Sequence, residues 1–320
     1  MGKRRVRLSD IAERAGVSAT TVSLVLNDKA ANGNVRISDQ TIKKVRRTAL
    51  SMGYRLRGTI GLMVPWIWPS VEIPLLDGIT KVFKRAHYNL AMGVTTERKL
   101  GVELEELRGM DGKGFDSVIM QPSYELMENP DLLRKSFRNW KRVIVVNQFP
   151  HADFNYVTID QEMCGYLATQ HLIDKGHRYI SCARGQVNDP VRILDARVLG
   201  YERAMSEAGL MPLIQRERED RFHIVPGVTA VYCCRYHGAV DLLSRCFDLG
   251  IRVPADLSIV GTADEREKQV SRPRLTTVDI RAQEMGQQVA EKVLDLIDGK
   301  SVESVVLKPR LIERDSVRYM

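Results

Sequence analysis

Residues 8–27, LSDIAERAGVSATTVSLVLN, constrain the fold most, because two short amphipathic segments are joined there by a glycine. We expect Ser9 to cap the first helix, with Asp10 and Glu13 in the first turn, where carboxylates suit the helix dipole. Gly16 stands where a helix can end in a left-handed residue. The apolar residues share one helical face: Ile11, Ala12 and Ala15. This segment therefore predicts a short helix followed by a tight turn.

The second segment predicts a helix whose outward face suits a duplex. We expect Ser18 to cap it. The residues expected to point inward are Val22, Val25 and Leu26. The outward residues are small or neutral and polar: Ala19, Thr20, Thr21, Ser23, Leu24 and Asn27. Such side chains can approach phosphates and base edges without clashing, so the pattern predicts a helix-turn-helix with a reading second helix. An ordinary pair of packed helices is the alternative.

The positive charge of the chain is concentrated around this motif. Residues 1–60 hold thirteen Lys and Arg against four Asp and Glu, a balance of +9, whereas the other 260 residues sum to −1. A polyanionic partner is the natural inference, through neutralisation of phosphates and release of counterions. A solvated basic face is the alternative interpretation.

The cysteines and the apolar pattern indicate a cytoplasmic protein. Five cysteines are odd in number and form no C-x-x-C pair, so we expect buried thiols in a reducing compartment. We find no apolar signal segment and no run long enough to cross a membrane. His171 and His177 have no third ligand at useful spacing, so structural roles are expected for both, with no metal and no cofactor.

The rest of the chain divides into a headpiece and a larger α/β region. Ser38 is expected to cap a third helix that ends at Gly53 and presents one apolar face, formed by Ile42, Val45 and Ala49. We predict a headpiece over residues 1–54, a short linker over 55–59 and a two-lobed region over 60–320.

Strand-like and helix-like runs alternate after Ile60, which predicts parallel sheets with helices on both faces. The first series has strands at Ile60–Val64, Tyr88–Val94, Ser117–Gln121 and Val143–Val146, and its last helix is predicted at Asp131–Trp140. A second series is predicted to begin at Val157–Ile159 and to continue through strands at Tyr179–Cys182, Thr229–Cys233 and Leu257–Val260. Two series predict two lobes with a ligand cleft beyond the carboxyl ends of their strands.

Several motifs resemble one known family. The stretch DIAERAGVSATTVSLVLN resembles the DNA-binding headpiece of the lactose/galactose repressor (LacI/GalR) family, whose core resembles a periplasmic sugar-binding protein. The core motifs that carry the resemblance are Asp160, HLIDKGHRYI (171–180), RVLGY (197–201), VPADLSIVGTADE (253–265), PRLTTV (273–278), Met285-Gly286 and LIERDS (311–316). The resemblance implies a homodimeric regulator, repression by default, that binds double-stranded operator DNA and a small-molecule effector in its inter-lobe cleft.

The resemblance also assigns roles on the reading helix. Ala19, Thr20 and Leu24 match positions that read bases. The positions that match mainly backbone contacts are Ser18, Thr21, Ser23 and Asn27. Where the family usually has an arginine suited to guanine, this chain has Leu24, which offers only apolar contact, for instance to a thymine methyl. We therefore expect a different base pair there, unless Leu24 packs on the protein and reads nothing. Ser9 and Tyr54 are also expected to bind DNA.

The junction after Tyr54 departs from the family pattern, in which Pro-Asn and a short hinge helix follow. About eleven residues of that pattern are absent here, and the linker that is left cannot supply a folded helix as well as a connection. We therefore expect no central wedge into the minor groove. Arg55 and Arg57 are expected to contact phosphates or a groove edge, with a plain basic linker as the alternative.

The expected effector cleft departs from the family as well. Arg235 and Tyr236 replace a usual Asn-Asp pair, and Ala263 replaces a usual ligand-binding carboxylate, whereas Arg197 matches the family's ligand-gripping arginine. These changes favour an anionic effector shared by Arg197 and Arg235. The other expected effector-binding residues are Trp66, Trp68 and Asp264. Alternatively, Arg235 pairs with Asp264 and closes an empty cleft.

Two other functional classes fit less well. A stand-alone small-molecule carrier would share the two-lobed core, but the missing signal segment and the cationic headpiece oppose it. A lobe-type enzyme would need a nucleophile–base set or a glycine-rich phosphate loop, and we find neither pattern in the sequence. We therefore expect no enzyme activity.

Overall fold

The structure is a computed structural model that describes residues 6–26, 37–52, 58–64, 71–95, 99–138, 140–147, 154–186, 192–217, 224–263 and 271–320. Two six-stranded sheets, each flanked by helices, follow an N-terminal group of short helices. No helix in the described part of the chain is long and apolar enough to span a membrane.

The N-terminal helices are α1 (Leu8–Ala15), α2 (Ala19–Leu26) and α3 (Asp39–Ser51). They enclose a small apolar cluster of seven buried side chains: Ile11, Ala12, Ala15, Val22, Val25, Val45 and Ala49. Ser38 caps α3 as expected, because its Oγ accepts the Thr41 backbone N–H at 3.2 Å. The expected helix end at Gly53 lies outside the described residues.

The expected cap at Ser9 is wrong. Helix α1 begins at Leu8, so Ser9 occupies the second helical position, and Arg7 has the extended backbone of a cap residue. Asp10 explains the shift, because its Oδ2 accepts the Arg7 backbone N–H at 2.8 Å and satisfies a donor at the helix start.

The first sheet is entirely parallel and defines the first lobe. Its strands in chain order are β1 (Thr59–Val64), β2 (Asn89–Val94), β3 (Ser117–Met120), β4 (Val143–Val146), β5 (Asn155–Ile159) and β11 (Val305–Leu307). They lie side by side in the order β11-β5-β4-β3-β1-β2. The helices in this part of the chain are α4 (Glu72–Ala86), α5 (Leu100–Gly112), α6 (Tyr124–Glu128) and α7 (Pro130–Ser136).

The second sheet defines the second lobe. Its strands are β6 (Ile180–Gln186), β7 (Leu213–Glu217), β8 (Ala230–Cys233), β9 (Ser258–Ala263), β10 (Thr276–Asp279) and β12 (Arg310–Ile312). They lie in the order β12-β10-β9-β8-β6-β7, and only β12 runs antiparallel to its neighbour. The remaining helices are α8 (Gln161–Asp174), α9 (Arg192–Glu207), α10 (Tyr236–Asp248) and α11 (Ala282–Ile297).

The fold class predicted from alternation is confirmed, but the point where the second series begins is wrong. Strand β5 pairs in parallel with β4 and belongs to the first sheet. The chain crosses between lobes after β5, because α8 packs on α9 and on the second sheet. It returns with α11, which packs on α4, and the two short strands β11 and β12 then close one sheet each. Alternation along the chain carries no information about which sheet a strand joins.

The helix predicted over Asp131–Trp140 is also too long. Helix α7 ends at Ser136, because Phe137 takes an extended backbone and buries its ring completely in the first lobe. Trp140–Arg142 forms a separate 3₁₀ turn before β4.

Helices α8 and α9 cross at close range, and the crossing positions residues at the junction of the lobes. A Cβ on Gly165 would overlap the carbonyl oxygen of Arg197, and a Cβ on Gly200 would overlap that of Glu162. Two facing glycines therefore let the helix backbones touch and bring residues 197–200 of α9 against residues 162–165 of α8. One cluster of buried apolar side chains runs from the first lobe into the second through these helices.

Candidate functional site

The turn between α1 and α2 has the geometry that the sequence predicted. Gly16 adopts φ 64° and ψ 41°, and the next backbone N–H, of Val17, donates to the Ala12 carbonyl at 3.0 Å. Ser18 Oγ accepts the Thr21 backbone N–H at 3.0 Å, which caps α2. A left-handed glycine followed at once by a cap fixes the angle between two short helices without a long loop.

The outward face of α2 is small and polar. Ser18, Ala19 and Thr20 are exposed, and the half-buried residues are Thr21, Ser23 and Leu24. Val22 and Val25 are buried beneath them. Leu24 is half-buried, so part of its side chain is accessible at the surface. Ser9 is exposed on α1.

Part of the expected site lies outside the described residues. For DNA binding these residues are Asn27, Tyr54, Arg55 and Arg57, and for effector binding they are Trp66, Trp68 and Asp264. The alternative pairing of Arg235 with Asp264 lies there as well.

Four buried polar side chains meet where the lobes join. Gln121 follows β3, Asn147 follows β4, Gln161 opens α8 and Arg197 lies in α9. Gln161 Nε2 donates to Asn147 Oδ1 at 3.4 Å, and Gln121 Nε2 donates to the Asn147 carbonyl at 3.5 Å. Each of the four residues is 5–7% exposed. Amide side chains from the first lobe therefore contact the base of the second.

Arg197 completes this polar cluster. Its Nε donates to Gln161 Oε1 at 2.8 Å, and its Nη1 donates to the Cys234 carbonyl at 2.5 Å. The expected effector arginine thus lies at the lobe junction, with two of its three nitrogens held by the protein. Gln121 Oε1 is buried without a hydrogen-bond partner in the described part of the chain, so the cluster has acceptor capacity left for a ligand.

Three of these cluster residues were missed by the sequence analysis. Gln121, Asn147 and Gln161 carry no motif of their own, and none was named as a candidate. The available signal was position: a polar residue comes directly after, or two residues after, each of three buried strands of the first sheet. Carboxyl ends of parallel strands meet at one edge, so such residues converge.

Arg235 and Tyr236, also expected to bind the effector, directly follow Cys234 on the second lobe. Arg235 is the half-buried cap residue of α10 and directly follows Cys234, whose carbonyl holds Arg197. Tyr236 is buried and packs into the apolar cluster of the second lobe, so most of its ring faces the protein. Ala263 ends β9 and is buried.

Two titratable side chains near the cluster, Cys164 and Tyr232, stay protonated at neutral pH. Burial raises the pKa of the Cys164 thiol to about 12, although the nearby Arg197 charge opposes the shift. Burial likewise raises the pKa of Tyr232, whose hydroxyl lies 3.0 Å from that of Thr262. Neither group is an activated nucleophile, because the thiolate and phenolate forms are the reactive ones. All five cysteines are buried and free, as predicted.

The two histidines have structural surroundings. His177 Nδ1 lies 3.0 Å from Thr229 Oγ1, in the segment that joins α8 to β6. Burial lowers the pKa of both His171 and His177. They are neutral packing residues at the end of α8 at neutral pH.

Comparison with known families covers almost the whole chain. Residues 7–55 match the family described as bacterial regulatory proteins, lacI family. Residues 60–224 match the periplasmic binding proteins and sugar binding domain of the LacI family, and residues 169–317 match a periplasmic binding protein-like domain.

Individual relatives extend over the same range. Catabolite control protein A of Priestia megaterium is 29% identical over 96% of this chain and 98% of its own length. The HTH-type transcriptional repressor PurR of Vibrio atlanticus is 27% identical over 98% of this chain and 99% of its own length.

Solved structures agree with this assignment. A complex of the transcriptional regulator CelR with cellobiose superposes with a TM-score of 0.68 at 25% identity, over 98% of this chain and all of that one. The lac repressor dimer bound to operator and the anti-inducer ONPF has the same fold, with a TM-score of 0.73 at 20% identity over 98% of this chain and all of that one. With a family headpiece, a family core and relatives that match from end to end, the chain belongs to the LacI family of bacterial regulatory proteins.

Proposed function

We propose that this LacI-family transcription regulator represses by binding an operator of two half-sites as a homodimer, through α2 of each headpiece. The single observation that carries this is the capped α2, which presents exposed Ala19 and Thr20 from a segment with a charge balance of +9. A small polar helix face can approach base edges, and the surrounding cations supply affinity for phosphates. Two protomers related by a two-fold axis would place one copy of α2 on each half-site, which explains an operator of two half-sites.

The relatives support regulation and not catalysis. Catabolite control protein A, the PurR repressor and the CelR regulator are named for regulation, and they cover 96–98% of this chain. We propose the division of labour that the sequence indicates: residues 1–54 bind DNA, 55–59 link, and 60–320 dimerise and bind an effector. A bound dimer represses by occluding a promoter.

The test of DNA binding is selection of bound sites from random duplexes by the full-length protein. We expect an inverted repeat whose two halves are read equally, because a homodimer presents two identical helices. The contribution of α2 is then checked with Thr20→Ala, which we expect to relax selectivity at one base pair in each half. Equal affinity of the wild-type protein for every duplex would favour the alternative function of a small-molecule carrier.

We propose that the effector binds at the polar cluster of Gln121, Asn147, Gln161 and Arg197, and that it carries a carboxylate or phosphate shared by Arg197 and Arg235. Gln161 and the Cys234 carbonyl occupy Arg197 Nε and Nη1, so an anion would use the remaining nitrogen, Nη2. Arg235 directly follows Cys234, which brings a second guanidinium within the same neighbourhood.

Calorimetry with panels of acidic and neutral metabolites tests this proposal. We expect binding of an acidic compound that Arg235→Gln weakens, since a charge-assisted bond is lost. Arg245→Gln, on the same helix α10 but ten residues further along, is the matched control and should bind as the wild type does. Binding of neutral sugars alone would refute an anionic effector.

A further inference from the structure

Helix α3 carries positive charge that has no role in base reading by α2 or in the proposed effector binding. Helix α3 has four exposed cations: Lys43, Lys44, Arg46 and Arg47. At 100° per residue they cover the side of the helix opposite Val45 and Ala49, which are buried against α1 and α2. We call this the α3 cationic face.

Nothing in the described protein neutralises most of this face. Lys43, Lys44 and Arg47 form no ion pair within the residues that the structure describes. The only acidic residue of α3, Asp39, lies in its first turn. Lys43 and Arg47 stand four apart, a spacing at which like charges repel each other in a helix. Repulsion among these cations destabilises the helix, and an anion bound on the α3 cationic face would relieve that repulsion.

The position of the face relates it to the reading helix. Helix α3 packs on both α1 and α2. Lys44 Nζ would lie only 3.8 Å from a Cβ built on Gly16, so this cation lies beside the turn that leads into α2. A helix in the major groove is bordered by phosphate backbones, and long Lys and Arg side chains next to that helix can reach them.

We propose that the α3 cationic face binds phosphates of the operator duplex outside the base pairs that α2 reads. This surface adds affinity without sequence preference, because phosphates carry no base information. The proposal rests on the function proposed above, since it assumes that α2 lies on an operator.

Salt dependence of binding tests the proposal quantitatively. The test variant replaces three cations together, Lys43→Gln, Lys44→Gln and Arg47→Gln, since glutamine keeps the helix propensity. If all three contact phosphates in both subunits of the proposed dimer, six contacts are lost and the slope of log Kobs against log salt should fall in magnitude by about 5. Preference among operator sequences should stay unchanged. Far-UV circular dichroism and thermal unfolding verify that the variant is folded.

A matched control separates local contacts from net charge. Three lysines of the first lobe are exposed, Lys113, Lys135 and Lys141, and replacing all three with Gln removes the same number of positive charges without touching the headpiece. We expect this control to keep the wild-type slope. A test variant that keeps the control's slope and affinity would overturn the proposal.

The length of the duplex tests where the contacts lie. Each protein is titrated with a duplex that ends at the outer edges of the half-sites and with one extended by about one helical turn, roughly 10 base pairs, on each side. The test variant should lose more affinity, relative to the wild type, for the extended duplex than for the short one. Equal losses on both would place the contacts elsewhere and refute the flanking position. Absence of selective binding by the wild-type protein would instead overturn the function on which this inference rests.

Discussion

At the scale of single residues, helix caps decide where the reading helix begins. Ser18 and Asp10 each satisfy a backbone donor that a short helix cannot satisfy itself, Ser18 for Thr21 and Asp10 for Arg7. In a helix of eight residues one cap is a large part of the stabilising contacts. The presentation of α2 therefore depends on a small polar side chain, Ser18, that is exposed at its start.

Replacing Ser18 with alanine should destabilise the headpiece by about 1 kcal/mol, because the Thr21 N–H loses its acceptor. Chemical denaturation, monitored by hydrogen exchange of the backbone amides in α2, measures the change in the free energy of unfolding of the headpiece. Thr20→Ala is the control: its exposed side chain caps nothing, so stability should change by less than about 0.5 kcal/mol. Equal stability of Ser18→Ala and Thr20→Ala would show that the cap is dispensable.

Single buried histidines also make the stability of the protein depend on pH. Burial lowers the pKa of His177 in the folded protein, so the unfolded chain binds more protons as the pH falls. The free energy of unfolding should therefore be highest above a pH of about 6.5, the ordinary histidine pKa, and fall as the pH drops below it.

Thermal unfolding at pH 7.5 and 5.5 measures this dependence. His177→Asn should lose less stability between the two values than the wild type does, since asparagine can still bond to Thr229 but does not titrate. An identical loss in the wild type and in His177→Asn would exclude His177 as the source.

At the scale of elements, the crossing of α8 over α9 positions the cluster at the lobe junction. Gly165 and Gly200 permit backbone contact between the helices, and the same contact fixes Arg197 opposite Gln161. The periodicity of either helix predicts which side faces inward, but the distance between the two axes depends on residues of both.

Gly200→Ala should destabilise the second lobe by about 1–3 kcal/mol or more, because the added methyl group meets backbone atoms that cannot rotate away. It should also weaken effector binding by moving Arg197 from Gln161. Gly109→Ala in α5 is the matched control: a methyl group there meets open space, so the variant should be up to about 1 kcal/mol more stable. Denaturant titration of both variants makes the comparison, and a Gly200→Ala protein as stable as Gly109→Ala would contradict it.

At the scale of the whole molecule, the short connection limits how far the headpiece can move. Helix α3 ends at Ser51 and β1 begins at Thr59, so residues 52–58 join them. Seven residues extend to at most about 25 Å. In the proposed dimer each headpiece would thus be held near its own core, and we expect a change between the lobes to be passed on directly to it.

We therefore expect the wild-type protein to accept only a narrow range of half-site spacing. Insertion of about eight Gly and Ser residues into 52–58 should broaden that range, since a flexible linker adds reach. Affinity for a series of operators with stepped spacing measures it. The same insertion in the exposed turn at residues 208–212 should leave the range unchanged. A wild-type protein that tolerates every spacing, or a footprint with a kinked operator centre, would contradict the prediction.

The sequence by itself determined the local features: the caps at Ser18 and Ser38, the left-handed Gly16, the buried thiols, most of the strands and the separation of charge between headpiece and core. Each of these features depends on a few neighbouring residues or on composition, so it can be predicted from the sequence pattern. The tertiary structure alone decided that β5 joins the first sheet, that β11 and β12 close different sheets, and that Gln121, Asn147, Gln161 and Arg197 meet. The physical reason is that strand pairing and inter-lobe contacts join residues far apart in the chain, and no local periodicity encodes the partner.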